Sequence, residues 1–133
     1  MSTMSEIMSR HSVEVPAHLA ADADVPLRTG LQRQGDVIVK PMRPGKVAGA
    51  EAVPPAGVPV VRGEAGGNTH LLVGAGQWAP HASDETVMGT LVVPEGGAAY
   101  LLHPEHGATG IGPGCYSIER QQQQADIVRR VED

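Results

Sequence analysis

The chain has 133 residues and a formal net charge of -5 at pH 7, with 15 Asp and Glu against 10 Lys and Arg. A chain of this length forms one domain, and its acidic balance argues against nucleic acid as the main partner, because phosphate binding needs an excess of Lys and Arg. Phe is absent and only one Trp and two Tyr occur, so the core has to be built from aliphatic side chains, while 17 Gly and 11 Pro indicate many turns.

The expected compartment follows from cysteine content and hydropathy. Cys115 is the single cysteine, so an internal disulfide is impossible. The first residues do not show the basic start and apolar centre of a secretory signal, and no apolar run approaches the roughly 20 residues of a membrane span. We therefore expect a cytoplasmic protein without membrane contact.

Residues 1–24 mix small, apolar and charged side chains without a sustained apolar stripe, which predicts a disordered N-terminal tail. In an alternative interpretation, Met4, Ile7 and Met8 form a short amphipathic turn that docks on a partner. His11 and His18 fall in this tail, and we expect no structural role for them.

Short β-branched runs separated by Gly and Pro predict a β domain over residues 25–120. The clearest hairpin joins Thr86–Val93 to Ala98–His103 through Pro94–Gly97. We predict an all-β fold of about six to eight short strands, arranged as a small sandwich, jelly roll or barrel. The other strands are expected in Gln34–Met42 after a Gly-Asp turn signal, near Val58–Arg62, in Thr69–Val73 and in Cys115–Arg120.

Side-chain alternation assigns faces to the last strand, because the period of a strand is two residues. Tyr116 and Ile118 are expected to point inward, with Cys115 on the polar side. Trp78 lies in a predicted loop, where we expect it to belong to the core or to cover an edge. Residues 121–133 start with four glutamines and continue with apolar residues at helical spacing, which predicts a short C-terminal helix or tail.

Positive charges are distributed unevenly along the chain. Half of all Lys and Arg lie between Arg28 and Lys46, whereas residues 63–118 contain none. We expect the basic stretch to be a strand edge kept soluble by its charges, and the alternative is a patch for an anion or an acidic partner. Residues 63–118 also hold four of the six His, so this part of the chain suits a bound cation. The alternative is that a β protein simply distributes its charges unevenly.

A histidine-rich loop provides the candidate site. His103 and His106 flank Pro104 and Glu105, so a turn can point both rings the same way, and His70 can reach them across a sheet. Imidazole and carboxylate groups are suitable ligands for a divalent transition metal. The hypothesis is a metal site of His70, His103, His106 and Glu105, and the alternative is a turn with solvated histidines. We predict no catalytic residue, because no nucleophile and oxyanion arrangement accompanies these groups.

Two motifs carry a family resemblance. Asn68, Thr69 and His70 follow a Gly-rich loop, and the sequence GPGCY begins at Gly112; together they resemble the two signature regions of the cupin jelly roll. The resemblance implies a metal-dependent enzyme acting on a small molecule, but only His70 carries over as a ligand, because Asn68 stands where cupins have their first His. The sequence also resembles uncharacterised small bacterial β-proteins, which bring no function with them.

We therefore expect a non-enzymatic β module that self-associates or docks on a protein partner through its strand edges. A small domain with few aromatic residues gains stability by burying more surface in an interface. The alternative is a cupin-like enzyme or metal-binding protein that uses His70, His103 and His106.

Overall fold

The computed structural model describes residues 2–11, 24–45, 47–61, 69–81 and 86–121. Within these residues the chain forms one short helix and eleven strands in two sheets, which confirms the predicted all-β fold as a sandwich with more strands than expected. The predicted C-terminal helix lies outside the described residues. In chain order the elements are α1 (Met4–Arg10), β1 (Leu27–Arg28), β2 (Gln32–Gln34), β3 (Val37–Met42), β4 (Glu51–Ala52), β5 (Val58–Val61), β6 (His70–Gly74), β7 (Gln77–Pro80), β8 (Val87–Val93), β9 (Ala99–His103), β10 (Gly107–Ile111) and β11 (Gly114–Arg120).

The two sheets are joined along both of their lateral edges. Sheet 1 has the strand order β1-β10-β9-β6-β5, and sheet 2 has the order β2-β3-β11-β8-β7-β4. All pairings are antiparallel except that of β1 with β10, which is parallel. Because β1 continues into β2 and β4 continues into β5, the chain passes from one sheet to the other at each lateral edge.

The main core fills the space between the sheets. Tyr116 and Ile118 from β11 are almost completely buried there, as the alternation of that strand predicts. The hydroxyl of Tyr116 donates a hydrogen bond to the carbonyl oxygen of Gly112 at 2.8 Å, so this large side chain is buried without an unpaired polar atom. Cys115 faces away from this core, but it is buried too, with 8% of its surface exposed.

Trp78 belongs to the core, as expected, but it enters the core from strand β7 and not from a loop. A Cβ atom added to Gly89 would lie 2.5 Å from two ring atoms of Trp78. The indole therefore occupies the space that a side chain on the neighbouring strand would need. Gly89 is thus a packing requirement of the single tryptophan.

Residues 4–10 form a helix where the sequence predicted a disordered tail. Thr3 caps the helix, because its hydroxyl oxygen accepts a hydrogen bond from the backbone N–H of Glu6 at 3.2 Å. Ile7 and Met8 are buried against the outer face of sheet 1, in a second apolar cluster. A helix of this length is unstable alone, so packing on the sheet stabilises it. The amphipathic interpretation was therefore right about the helix, but the surface that it covers belongs to this chain. The rest of the predicted tail, residues 12–23, lies outside the described residues.

The predicted hairpin between Thr86–Val93 and Ala98–His103 is wrong. Both segments are strands, but β8 pairs with β7 and β11 in sheet 2, whereas β9 pairs with β6 and β10 in sheet 1. Pro94–Gly97 carries the chain from one sheet to the other. This connection buries the apolar residues of both strands in the same core from opposite sides, as Leu91 and Leu101 show.

Candidate functional site

Three histidines lie together at one end of the sandwich. His70 begins β6, His103 ends β9, and His106 lies in the turn before β10. The centroid of the His103 ring is 4.3 Å from that of His70 and 4.6 Å from that of His106, and the centroids of His70 and His106 are 6.5 Å apart. The structure therefore brings together the three histidines that the sequence singles out. The register of β6 and β9, in which Leu71 pairs with Leu102, makes His70 and His103 neighbours.

A buried glutamine fixes the tautomer of His70. Nδ1 of His70 lies 2.9 Å from Oε1 of Gln34, and both side chains are 3% exposed. The amide nitrogen of Gln34 donates to the carbonyl oxygens of Leu101 at 2.8 Å and Gly107 at 3.2 Å. Because carbonyl oxygens only accept, these bonds identify the amide nitrogen, and Oε1 has to accept the Nδ1 proton of His70. The neutral ring therefore has an unprotonated Nε2.

The surroundings of His70 keep it uncharged at neutral pH. The pKa of His70 is lowered to about 4, mainly by burial and also by the neighbouring His103, while the Asp36 carboxylate acts in the opposite direction. Nε2 of His70 lies 3.5 Å from Oδ1 of Asp36, and Oδ2 of Asp36 lies 3.5 Å from Nε of Arg120. Asp36 and Arg120 are about half exposed, so solvent weakens the attraction of the carboxylate for a proton on His70.

His103 has the opposite tautomer. Its Nδ1 accepts hydrogen bonds from the backbone N–H groups of Glu105 at 3.0 Å and His106 at 3.2 Å. In the neutral ring the proton therefore lies on Nε2. His103 thus holds the turn between β9 and β10 in place. Glu105 contributes its backbone to this arrangement, while its side chain is exposed.

His106 joins this turn to the turn between β2 and β3. It is exposed, and its ring lies over Gly35: a Cβ atom at Gly35 would be 2.9 Å from Nε2 of His106. Gly35 also has a φ of +60°, a conformation that favours glycine. The backbone conformation at Gly35 therefore favours glycine, and a side chain at this position would displace the ring of His106.

The metal-site hypothesis finds its residues close together but not its ligand geometry. In the described part of the chain, no group of three or more His, Cys, Asp or Glu side chains is arranged to hold a metal ion. The rings of His70 and His106 are nearly parallel, with 12° between their planes, and Nδ1 of His103 is engaged by the backbone. The metal site of His70, His103, His106 and Glu105 stays a prediction.

Sequence reasoning missed the residues that organise this site. Gln34, Asp36 and Arg120 were not candidates, because the Gln-Gly-Asp sequence was interpreted only as a turn signal before a strand. The available signal was the alternation of β2 and β3. Gln34 pairs with Val37, and both are buried, so the amide had to find hydrogen-bond partners inside the protein.

A second candidate surface is formed by the segment 27–43, which contains the edge strands β1 and β2 and the neighbouring strand β3. Leu27, Leu31 and Met42 are the large hydrophobic side chains that the described part of the chain exposes, at 44%, 69% and 45%. Four exposed cations lie in the same stretch, which has a single acidic residue, Asp36. We call this surface the basic edge; it consists of Leu27, Arg28, Leu31, Arg33, Lys40, Met42 and Arg43.

The opposite lateral edge is protected against contacts. Strand β4 has only two residues, and β5 contains Pro59, which lacks an N–H group for strand pairing. Val60 and Val61 are each 8% exposed. The two lateral edges therefore differ, and only the basic edge presents large apolar side chains to solvent within the described residues.

The strands and the histidine cluster fall almost entirely within one family model. This model, described as a domain of unknown function (DUF8820), matches residues 33–121. The chain belongs to the DUF8820 family. No curated protein and no solved structure matches it. In this DUF8820 protein, α1 and β1 precede the matched residues. Among the described residues, no helix has the length and apolar character needed to cross a membrane.

Proposed function

We propose that this DUF8820 protein is a non-enzymatic interaction module that docks on a protein partner through the basic edge. The observation that carries the proposal is that the exposed large hydrophobic side chains of the described residues, Leu27, Leu31 and Met42, all fall in the segment 27–43 that forms this surface. Single exposed apolar side chains are common, whereas a cluster indicates a contact surface. Arg28, Arg33 and Arg43 border the cluster, and arginine is enriched at protein interfaces.

The polar bonds behind the basic edge support this proposal, because they hold it in one conformation. The amide nitrogen of Gln32 donates to the carbonyl oxygen of Gly110 at 2.8 Å, and Gln34 is bonded to β9, β10 and His70. Strand β2 of sheet 2 is thereby attached to sheet 1. A preorganised surface loses less conformational entropy on binding. We assign the buried histidines His70 and His103 this supporting role.

Electrostatics favours a different protein over a second copy as the partner. A symmetric dimer places the same surface of both copies face to face. Two basic edges would then bring four cations of each copy together, and like charges in an interface are costly. A cytoplasmic location is part of the proposal, since Cys115 has no second cysteine with which to form an internal disulfide.

The test is partner capture by the immobilised protein, with the retained proteins identified by mass spectrometry. Leu31→Glu places a charge in the apolar cluster, and Ala52→Glu places the same charge at an exposed position on the opposite lateral edge. We expect the parent and Ala52→Glu to retain the same proteins and Leu31→Glu to lose them. Equal retention by Leu31→Glu would show that the basic edge is not the docking surface. Sedimentation equilibrium of the purified protein should show a monomer. A stable dimer that dissociates in Leu31→Glu would show that a second copy of this chain, and not a different protein, occupies the basic edge.

The alternative function is a metal-dependent, cupin-like enzyme or metal-binding protein. The observation in its favour is the proximity of the three histidine rings. It predicts near-stoichiometric metal in the purified protein and its loss in both His70→Ala and His103→Ala. The tautomer of His103 weighs against this alternative, because a nitrogen that binds a metal needs a free lone pair. Nδ1 of His103 already accepts two backbone hydrogen bonds, and Nε2 carries the proton.

A further inference from the structure

We infer that the basic edge binds an extended acidic segment in which apolar and acidic side chains alternate along one face, at every second residue. The inference rests on the proposed function and names the chemistry of the partner. It starts from the alternation of β3, where Val37 and Val39 are in the core. The intervening residues Ile38, Lys40 and Met42 therefore share the outer face of sheet 2.

These three residues form a row in which a cation stands between two apolar side chains. Residues two apart in a strand are separated by about 6.6 Å. An extended partner has the same period, so it can place an acidic side chain opposite Lys40 and apolar side chains opposite Ile38 and Met42. Arg33 pairs with Ile38 across β2 and β3 and adds a second cation beside the row.

The cations beside this row outnumber its acidic neighbours among the described residues. Asp36 lies 3.5 Å from the neutral ring of His70 and forms an ion pair with Arg120 at 3.5 Å, and no ion pair of the described residues involves Arg33 or Lys40. On β11, the uncharged Ser117 and Cys115 pair with Lys40 and Met42, while Glu119 pairs with Ile38 and places one carboxylate on the same face. An acidic partner would therefore balance the remaining positive charge of Arg33 and Lys40.

An acidic protein segment fits this surface better than a nucleic acid does. Phosphates would pair with Arg33 and Lys40 but leave Leu31 and Met42 in water. No aromatic side chain of the basic edge is available to stack on a base. The net charge of -5 also repels a polyanion at longer range, which a short segment feels less than a nucleic acid does.

Fluorescence anisotropy with synthetic probes tests the inference on the full chain. The probe is a fluorescein-labelled peptide, Ser-Val-Ser-Asp-Ser-Leu-Ser-Glu-Ser-Val, whose apolar and acidic residues share one face of the extended chain. One control peptide replaces Val and Leu with Ser, a second replaces Asp and Glu with Lys, and the third control is a single-stranded oligo(dT) of matched length. We expect binding of the first peptide only, a Kd at least about tenfold weaker for Lys40→Glu and for Met42→Ser, and an unchanged Kd for Ala52→Glu. Thermal unfolding shows that each variant is folded.

The outcomes separate the inference from the proposed function. Equal binding of the serine peptide would show that charge alone is recognised, and tighter binding of oligo(dT) would identify a nucleic-acid surface; both would overturn the inference. If the alternating peptide does not bind, while Leu31→Glu still loses the captured partner, the inference fails and the proposed function stands. If Leu31→Glu retains the partner, the proposed function fails.

Discussion

The amide of Gln34 holds Nδ1 of His70 at 2.9 Å and decides which nitrogen of that ring carries the proton. Gln34 lies in sheet 2, whereas the oxygens that accept from its amide nitrogen, those of Leu101, Gly107 and Thr109, lie in sheet 1. One side chain therefore joins the two sheets and sets the protonation of the buried histidine.

The two buried histidines should show opposite tautomers in solution. Because His70 donates from Nδ1 and His103 accepts at Nδ1, long-range ¹H–¹⁵N correlation spectra at pH 7 should show the Nδ1–H form for His70 and the Nε2–H form for His103. The same spectra with added zinc test the metal hypothesis. A metal on Nε2 of His103 would move the proton to Nδ1, whereas we expect the spectrum of His103 to stay unchanged.

The stability of the protein should fall between about pH 6.5 and pH 4. The folded state lowers the pKa of His70 from 6.5 to about 4, so the unfolded chain takes up a proton first as the pH decreases. Stability is therefore fully present above pH 6.5 and is lost as the pH falls through this window, by about 3 kcal/mol at about 1.4 kcal/mol per pH unit. Urea unfolding at a series of pH values measures the loss.

Two variants isolate the contribution of His70. His70→Asn keeps a donor toward Gln34 but does not titrate, so its stability should fall less between pH 6.5 and pH 4 than that of the parent. His81→Asn makes the same replacement at an exposed histidine that is hydrogen-bonded to Thr90, and it serves as the matched control. If the stability of the parent and that of His70→Asn fall equally with pH, groups other than His70 cause the acid sensitivity.

Gln34→Glu should destabilise the fold by about 3 kcal/mol or more at pH 7. A carboxylate of the same shape cannot donate, so the three oxygens around it lose their hydrogen bond and the new charge is buried. Gln77→Glu makes the same replacement at an exposed position in β7 and should change stability by less than about 0.5 kcal/mol. If chemical denaturation gives the two variants similar stabilities, the amide of Gln34 is not a structural link.

Gly89→Ala should displace the ring of Trp78. The new Cβ atom would lie 2.5 Å from two ring atoms and 2.6 Å from the carbonyl oxygen of Ala79, and overpacking of this kind costs about 1–3 kcal/mol. Because Trp78 is the only tryptophan, its fluorescence emission reports the change directly, as a shift to longer wavelength. Gly30→Ala is the control, since its Cβ atom would meet nothing within 4 Å. If the emission of Gly89→Ala is unchanged, the ring of Trp78 does not pack against residue 89.

The strands were predictable from the sequence, but their pairing was not. β-Branched runs such as Val37–Val39 identify half-buried strands because their pattern is local. The assignment of β8 and β9 to different sheets depends on contacts between distant segments, and Pro94–Gly97 fits a hairpin and a sheet crossing equally well. Helix α1 was missed as an element of the fold for the same reason: the surface that stabilises it lies on strands far away in the sequence.

The histidine cluster was predictable as a set of residues, but not as a chemical arrangement. His103 and His106 are close in the sequence, and alternation places His70 on a strand that can lie beside them. The directions of their nitrogens depend on hydrogen bonds to Gln34 and to the backbone of Glu105. The residue types of a predicted ligand set give no information on such bonds. Residues that are predicted to bind a metal can therefore form structural hydrogen bonds instead.

Helix α1 has a practical consequence for anyone who expresses this domain. The family-matched residues 33–121 would be a natural choice for a trimmed protein, but they leave out Ile7 and Met8. Trimming would uncover Val73 and Leu102 on the outer face of sheet 1, which are 0% and 1% exposed beneath the helix. A bare apolar sheet adheres to other copies of itself, so the shortened chain should precipitate where the longer one stays dissolved.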